Sequence, residues 1–140
     1  MATLKEKVGL LAQVPLFAAC SPAELNHVAY LADERDVTAG EVLIREGDVG
    51  GDFFLVVEGT VRVTKRGEEL RELGPGAFFG ELALLDLGPR TATVTAITDM
   101  RLLTIAPRGL ASMLMEHPTV ALKMLRTLSE RLRSVEDRLT

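Results

Sequence analysis

The chain has 140 residues, a length that fits one globular domain with a hydrophobic core of its own. Apolar residues make up 47% of the chain and charged residues 26%, which excludes a disordered or fibrous protein. Sixteen Lys and Arg residues against twenty Asp and Glu residues give a net charge of −4, and this acidic balance disfavours direct nucleic-acid binding by this segment.

The N-terminal segment, residues 1–35, is predicted to be helical. Ser21, Pro22 and Glu24 form a capping-box pattern, with Ser at the N-cap, Pro at the first helical position and Glu at the third. Because these three signals agree, we expect a helix to begin at Pro22.

The middle of the chain, residues 36–106, is predicted to be β structure. Ten of the twelve glycines fall between Gly40 and Gly88, so turns are concentrated there. Short runs rich in β-branched and aromatic residues predict about eight strands, and Glu58-Gly59-Thr60 is typical of a tight hairpin. The runs are 41–46, 52–58, 60–65, 68–73, 77–79, 91–98 and 100–105. This pattern predicts a mainly β protein, an antiparallel β-roll or jelly roll with flanking helices.

The C-terminal segment, residues 107–140, is predicted to contain two helices. Pro107 and Pro118 each stand where a helix can begin. Beyond Pro118, apolar residues recur at spacings of three and four, namely Leu125, Leu128, Leu132, Val135 and Leu139. A narrow stripe of this kind suits a second helix, so we expect a homodimer through it, and packing on the β-roll is the alternative.

The number of cysteines, the positions of the histidines and the lengths of the apolar runs limit which kinds of site and which cellular location we expect. Cys20 is the single cysteine and cannot form an internal disulfide, so we expect a cytoplasmic protein and a small buried thiol. No apolar run reaches the ~18 residues of a membrane span, so no insertion is indicated. His27 and His117 have no second Cys or nearby His to complete a ligand set, which disfavours a metal site.

The residues best suited to bind a ligand lie in segment 78–94. A strand ends at Gly80, a short apolar stretch without β-branched residues follows, and Arg90 leads into the next strand. A single helical turn between the strands would present unsatisfied backbone N–H groups at residues 81–83, which suits one phosphate. Arg90 offers a planar fork for two phosphate oxygens, and Glu81 fits as acceptor for a ligand hydroxyl. We therefore expect a sugar phosphate or nucleotide that is bound and not hydrolysed.

The same segment resembles the phosphate-binding cassette of the cyclic nucleotide-binding domain family. Phe-Gly-Glu-Leu-Ala-Leu-Leu at 79–85 and Pro-Arg-Thr-Ala-Thr-Val-Thr-Ala at 89–96 carry the resemblance. Further parts of the chain are similar to the same domain, namely 14–17, 21–25, 40–48 and 52–59. This family includes bacterial catabolite activators, regulatory domains of cyclic-nucleotide-dependent kinases and gated channels.

The resemblance implies a regulatory signalling domain that binds a cyclic nucleotide and catalyses no reaction. Arg90 would pair with the exocyclic phosphate oxygens, and Glu81 would accept the ribose 2′-hydroxyl. The implied ligand is cAMP in preference to cGMP, with no other cofactor. Thr91 leaves cGMP open, because its hydroxyl can serve the phosphate and also the 2-amino group of a syn guanine. The implied ligand-binding residues are Gly80, Glu81, Leu82, Ala83, Arg90, Thr91 and Ala92.

We expect one cyclic nucleotide-binding domain over residues 1–140, in which phosphate capture moves the C-terminal helices. One alternative is a degenerate, non-binding member that acts as a dimerisation module. In another, Arg90 and Glu81 form only a surface ion pair and Gly80 serves only a turn. Another is the truncated sensor half of a DNA-binding regulator, since the sequence up to Thr140 leaves no room for a recognition helix. A metal-dependent β-roll enzyme is disfavoured because no predicted strand contains a His.

Overall fold

A computed structural model of the chain describes residues 2–80 and 87–139. These residues form two compact units, one of residues 32–107 and one of residues 2–31 with 108–139. The expectation of a single domain over residues 1–140 stays a prediction.

The first unit contains two antiparallel sheets of four strands each, which confirms the predicted jelly-roll architecture. The strands traced in the described residues are β1 (Asp33–Val37), β2 (Val42–Ile44), β3 (Phe53–Glu58), β4 (Val61–Lys65), β5 (Glu68–Leu73), β6 (Phe78–Phe79), β7 (Thr93–Ala96) and β8 (Met100–Ile105). Their order is β1-β8-β3-β6 in one sheet and β2-β7-β4-β5 in the other. Strands β4 and β5 are joined by Arg66 and Gly67, which both have positive φ, as a two-residue type I′ hairpin requires.

Two details of the β unit differ from the prediction. Strand β1 begins at Asp33, inside the segment predicted to be helical. Four of its five residues are charged, so no alternating apolar pattern marks it, and its pairing with β8 defines it.

The predicted hairpin at Glu58-Gly59-Thr60 is wrong, because β3 and β4 belong to different sheets and the chain crosses between them. Gly59 makes the crossing possible. Its φ is +98°, and a Cβ there would lie 2.7 Å from the carbonyl oxygen of Asp99.

The core of the β unit is one apolar cluster to which both sheets contribute. Phe54, Val56 and Leu102 come from one sheet, and Val61 and Val94 from the other. All five side chains are at most 3% exposed, so burial of this cluster supplies the main stabilising free energy of the unit.

The second unit is helical. Its elements are α1 (Leu4–Leu11), a 3₁₀ turn (Pro15–Phe17), α2 (Pro22–Leu31), α3 (Pro107–Glu116), which begins at the boundary between the units, and α4 (Pro118–Leu139). The capping box at α2 is confirmed. The Ser21 N–H donates to Glu24 Oε1 at 2.8 Å, and the Glu24 N–H donates to Ser21 Oγ at 3.2 Å. Cys20 is buried as expected, and burial raises the pKa of its thiol.

Two side-chain contacts join α2 to the C-terminal part of the helical unit. Glu24 forms an ion pair with Lys123 of α4. The hydrogen bond from Lys123, together with that from the Ser21 backbone, lowers the pKa of Glu24 to about 2. The His27 ring stacks on His117, with the two ring centroids 3.7 Å apart.

The predicted apolar stripe of α4 is mostly exposed. Leu125, Leu132, Val135 and Leu139 are 61%, 60%, 45% and 81% exposed, whereas Leu128 is half-buried. Within the described part of the chain, no helix is both long and apolar enough to cross a membrane.

Candidate functional site

A cleft of about 350 Å³ opens in the β unit at the predicted ligand-binding segment. Four of the predicted site residues line it, namely Gly80, Arg90, Thr91 and Ala92. The other three, Glu81, Leu82 and Ala83, lie outside the described residues, as does the helical turn expected there. Their ligand contacts stay predictions.

Arg90 is placed by the loop that follows β2. The Arg90 N–H donates to the carbonyl oxygen of Asp48 at 2.7 Å, and the Arg90 carbonyl accepts from Gly47 N–H at 2.9 Å. The Gly50 N–H donates to the carbonyl oxygen of Gly88 at 2.9 Å. These bonds pair two segments that are about forty residues apart in sequence, and they fix the backbone from which the Arg90 side chain enters the site.

The Arg90 side chain is buried, with 8% of its surface exposed. Its Nη2 donates to the carbonyl oxygen of Asp52 at 2.6 Å. Its Nη1 has no hydrogen-bond partner in the part of the chain that the structure describes. Burial lowers the pKa of Arg90 and the Asp52 carboxylate raises it, but a guanidinium stays charged under both influences.

Two glycines leave the space that the guanidinium occupies. A Cβ on Gly51 would lie 2.5 Å from Arg90 Nη2, and a Cβ on Gly80 would lie 2.5 Å from Nη1. Both glycines also have positive φ, a backbone conformation that other residues rarely adopt. Gly80 was predicted from the sequence as a site residue, whereas Gly51 was not. The only feature of the sequence that marks Gly51 is the Gly50-Gly51 pair before β3, and such a pair indicates a turn and not a ligand site.

The remainder of the cleft is largely apolar. Ile44, Val63 and Val94 form part of the wall, and their side chains are buried. Phe78 and Phe79 are half-buried and border the cleft, whereas Phe53 and Phe54 are buried. An apolar wall beside a charged end suits a ligand with a flat apolar ring system and one anionic group.

The charged end of the cleft favours an anion. A buried cation with an unpaired N–H is costly unless an acceptor approaches it, and phosphate oxygens are strong acceptors for a guanidinium fork. In residues 2–80 and 87–139 there is no group of three or more His, Cys, Asp or Glu side chains that could hold a metal ion.

A second arginine lines the cleft and was not predicted from the sequence. Arg71 lies on β5 and lines the same space as Arg90. The β5 sequence Glu-Glu-Leu-Arg-Glu-Leu does not alternate apolar and polar residues, so the sequence does not reveal which side chains face inward.

A comparison with protein families agrees with this geometry. Residues 34–117 match the model of the cyclic nucleotide-binding domain, which is more than half of the chain. The chain therefore belongs to the cyclic nucleotide-binding domain family, and the resemblance found in its sequence is confirmed.

Relatives of known name include channels, transcriptional regulators and kinase subunits. A cyclic nucleotide-gated potassium channel of Mesorhizobium japonicum is 41% identical over 122 residues, covering 87% of this chain and 34% of the channel. A CRP-like cAMP-activated global transcriptional regulator of Mycobacterium tuberculosis is 29% identical, covering 93% of this chain and 60% of the regulator. A cAMP-dependent protein kinase regulatory subunit of Mycosarcoma maydis is 41% identical, covering 74% of this chain and 22% of that subunit. The chain thus spans only part of each relative.

Two solved structures share the fold. The N-terminal domain of a transcriptional regulator from Streptomyces coelicolor superposes with a TM-score of 0.85 at 36% identity, covering 91% of this chain and 95% of that domain. The catabolite activator protein of Thermus thermophilus gives a TM-score of 0.69 at 33% identity, covering 89% of this chain and 61% of that protein.

Proposed function

We propose that this chain is a regulatory module that binds a cyclic nucleotide and performs no catalysis itself. The observation that carries the proposal is the buried Arg90 guanidinium, held between Gly51 and Gly80, with its Nη1 unpaired among the described residues. A cyclic phosphate supplies the missing acceptor, and the apolar wall of the cleft accommodates the purine. The nucleotide is the ligand, and we expect no further cofactor.

Within this proposal each site residue has a separate role. Arg90 binds the exocyclic phosphate oxygens. Glu81 accepts the ribose 2′-hydroxyl, and backbone N–H groups from Gly80 to Ala83 complete the phosphate contacts. Thr91, which is exposed on the cleft, adds a hydroxyl beside the phosphate.

We propose cAMP as the first ligand to test. Its support comes from relatives, since the Mycobacterium tuberculosis regulator is named as cAMP-activated and the Mycosarcoma maydis protein as a regulatory subunit of a cAMP-dependent kinase. Because these names describe other proteins, calorimetry with both cAMP and cGMP is needed.

The decisive variant is Arg90→Leu. It removes charge-assisted hydrogen bonds of about 1.5 to 3 kcal/mol each, so the affinity for cyclic nucleotide should fall at least about tenfold. Arg62→Leu is the matched control, because Arg62 is an exposed arginine paired with Glu69 and does not line the cleft. Circular dichroism of each variant checks the fold. Unchanged affinity in Arg90→Leu would show that Arg90 does not bind the phosphate, whereas a parent chain that binds neither nucleotide would favour the degenerate, non-binding alternative.

We further propose that nucleotide binding alters the helices of residues 107–139 and so transmits the signal. Support comes from the family resemblance of the cassette and the C-terminal helix. Amide exchange across these residues, measured with and without cyclic nucleotide, tests the coupling. Identical protection in both states would contradict it.

A homodimer through α4 is our proposal for assembly. The exposed stripe of α4 supports it, because four large apolar side chains at helical spacing are otherwise in water. We also propose a cytoplasmic location, where the lone Cys20 stays reduced.

A second candidate function is the sensor part of a DNA-binding regulator. The specific observation is that the chain covers 60% of a named transcriptional regulator and superposes on the N-terminal domain of another. Reading the gene beyond the codon for Thr140 distinguishes this candidate from a separate sensor.

A further inference from the structure

The two histidines of the chain are in contact within the helical unit. His27 lies on α2, and His117 is the single residue between the end of α3 and the start of α4. Their rings are stacked, with the centroids 3.7 Å apart and the ring planes 22° from parallel. The stack therefore joins α2 to the corner at which the chain passes from α3 into α4.

The backbone of His117 is held on both sides of this corner. Its N–H donates to the carbonyl oxygen of Met113 at 2.8 Å, and its carbonyl oxygen accepts from the Val120 N–H at 3.1 Å. The imidazole is thus the part of His117 that can lose its contact without breaking either helix. His27 is exposed and His117 is half-buried, so protons from solvent can reach both rings.

Protonation acts on the stack in two stages. Two neutral rings stack favourably, and one imidazolium on a neutral ring is also favourable, because a cation is attracted to an aromatic face. Two imidazolium rings with centroids 3.7 Å apart repel each other. The second proton therefore opposes the stack, and the contact stabilises the helical unit at neutral pH and loses this effect as the pH falls.

The charges near the pair do not offset this repulsion. Glu24 lies one turn before His27 on α2, but it already forms an ion pair with Lys123 of α4. His117 lies between the C-terminal end of α3 and the N-terminal end of α4, so the two helix dipoles act on it in opposite senses. The other charged side chains of α1, α3 and the first three turns of α4 are four basic and two acidic, namely Lys5, Lys7, Arg108, Arg126, Glu6 and Glu116. These surroundings are net positive and add to the cost of the second proton.

We propose that the stack of His27 on His117 is a pH-sensitive contact that holds α2 against the α3–α4 corner at neutral pH and releases it when both rings are protonated. Of the ordinary side chains, histidine is the one that changes charge between about pH 5.5 and pH 7. His27 and His117 are the only histidines of the chain. The pKa of Glu24 is about 2, and burial raises the pKa of the Cys20 thiol, so neither group titrates in this range.

The helices on either side of this corner are those proposed above to respond to nucleotide. On that proposal, pH is a second input to the same helices, and this consequence rests on the proposed function. The pH-sensitive contact itself does not, and its test needs no nucleotide.

The experiment measures amide exchange of residues 113–124 at about pH 7 and about pH 5.5 in the absence of nucleotide, corrected for the intrinsic effect of pH on exchange. It compares the unmodified chain with His27→Phe and His27→Ala. Phenylalanine keeps an aromatic ring for the stack but takes up no proton, whereas alanine removes the ring. Strand β3 of the other unit is the internal reference, and circular dichroism checks the fold of each variant. His117→Phe repeats the test from the other ring.

In the unmodified chain we expect the protection of residues 113–124 to fall about threefold to tenfold from pH 7 to pH 5.5, the size expected for two unit charges about 4 Å apart in water, with β3 unchanged. This loss should shrink when the ionic strength rises from about 0.02 M to about 0.5 M, because salt screens the repulsion. His27→Phe should stay protected at both pH values, and His27→Ala should be weakly protected at both.

Two results would overturn the proposal. If the unmodified chain kept its protection at pH 5.5, double protonation would not release the corner. If His27→Phe and His117→Phe lost as much protection at pH 5.5 as the unmodified chain, the pH response would arise elsewhere in the chain.

Discussion

The substitution Gly80→Ala tests whether nucleotide binding depends on the space that Gly80 leaves for the Arg90 guanidinium. A methyl group at residue 80 would lie 2.5 Å from Arg90 Nη1 and 2.8 Å from the carbonyl oxygen of Asp52. The same carbonyl accepts the hydrogen bond from Arg90 Nη2, so the new methyl group meets both partners of that bond. The guanidinium must therefore move.

Gly76→Ala is the matched control for the backbone part of this change. Gly76 has φ +88° and Gly80 has φ +87°, but a Cβ on Gly76 meets nothing within 4 Å. Each substitution places Ala at positive φ at a cost of about 1 to 2 kcal/mol. Overpacking at Gly80 adds about 1 to 3 kcal/mol, so its free energy of unfolding should fall by about 2 to 5 kcal/mol.

The effect on binding should separate the two variants more sharply. Displacing the guanidinium removes at least one charge-assisted hydrogen bond to the phosphate, about 1.5 to 3 kcal/mol, which corresponds to a loss of affinity of about tenfold to a hundredfold. Gly76→Ala should bind cyclic nucleotide like the unmodified chain. Urea unfolding gives the stabilities, and calorimetry with cAMP and cGMP gives the affinities.

Two results would refute this reasoning. If Gly80→Ala and Gly76→Ala lost the same stability and bound nucleotide equally well, the close packing of Gly80 on Arg90 would not exist in solution. If Gly80→Ala lost stability but kept its affinity, Arg90 would be a structural residue and another group would hold the phosphate.

Further predictions concern the helical unit. The pKa of Glu24 is lowered to about 2 from 4.5, chiefly by Lys123, so its ion pair stabilises the fold above pH 4.5 and this contribution disappears as the pH falls towards 2. The melting temperature of Glu24→Gln should be lower than that of the parent at pH 6, and the two should converge near pH 2. A difference of the same size at pH 2 would show that the ion pair of Glu24 is not its cause. For the proposed dimer, replacing both Leu128 and Leu132 with Glu should give a monomer, as measured by light scattering. The reason is that burial of each leucine in the interface would stabilise the dimer by about 1.5 to 3 kcal/mol, and a charged side chain loses this contribution. A parent chain that is monomeric with and without nucleotide would exclude the dimer.

Local signals predicted the parts of this protein that depend on neighbours in sequence. The helix at Pro22 follows from Ser21 and Glu24, which are three residues apart and bond to each other. The helices that begin at Pro107 and Pro118 follow from the fixed φ of proline. Gly80 and Arg90 were identified because they stand in a continuous motif between two strands.

The sheet arrangement could not be predicted in the same way. Gly59 looks like a hairpin residue, yet the strands on either side of it pair with other partners. Strand β1 is charged along most of its length, and only the neighbouring β8 makes it a strand. Strand pairing depends on which distant segments meet, and residue patterns within one segment carry little information about that.

By itself, the sequence determined the two helical ends, the β centre, the cassette and, through them, the family. Only the tertiary structure decided how the charged end of the cleft is built. Arg90 bonds to Asp52 and packs on Gly51, and these residues lie 38 and 39 positions away in sequence. Arg71 faces the cleft only because of its register with Val63. The physical reason is that a buried cation is defined by the groups that surround it, and the fold brings those groups from separate strands and loops.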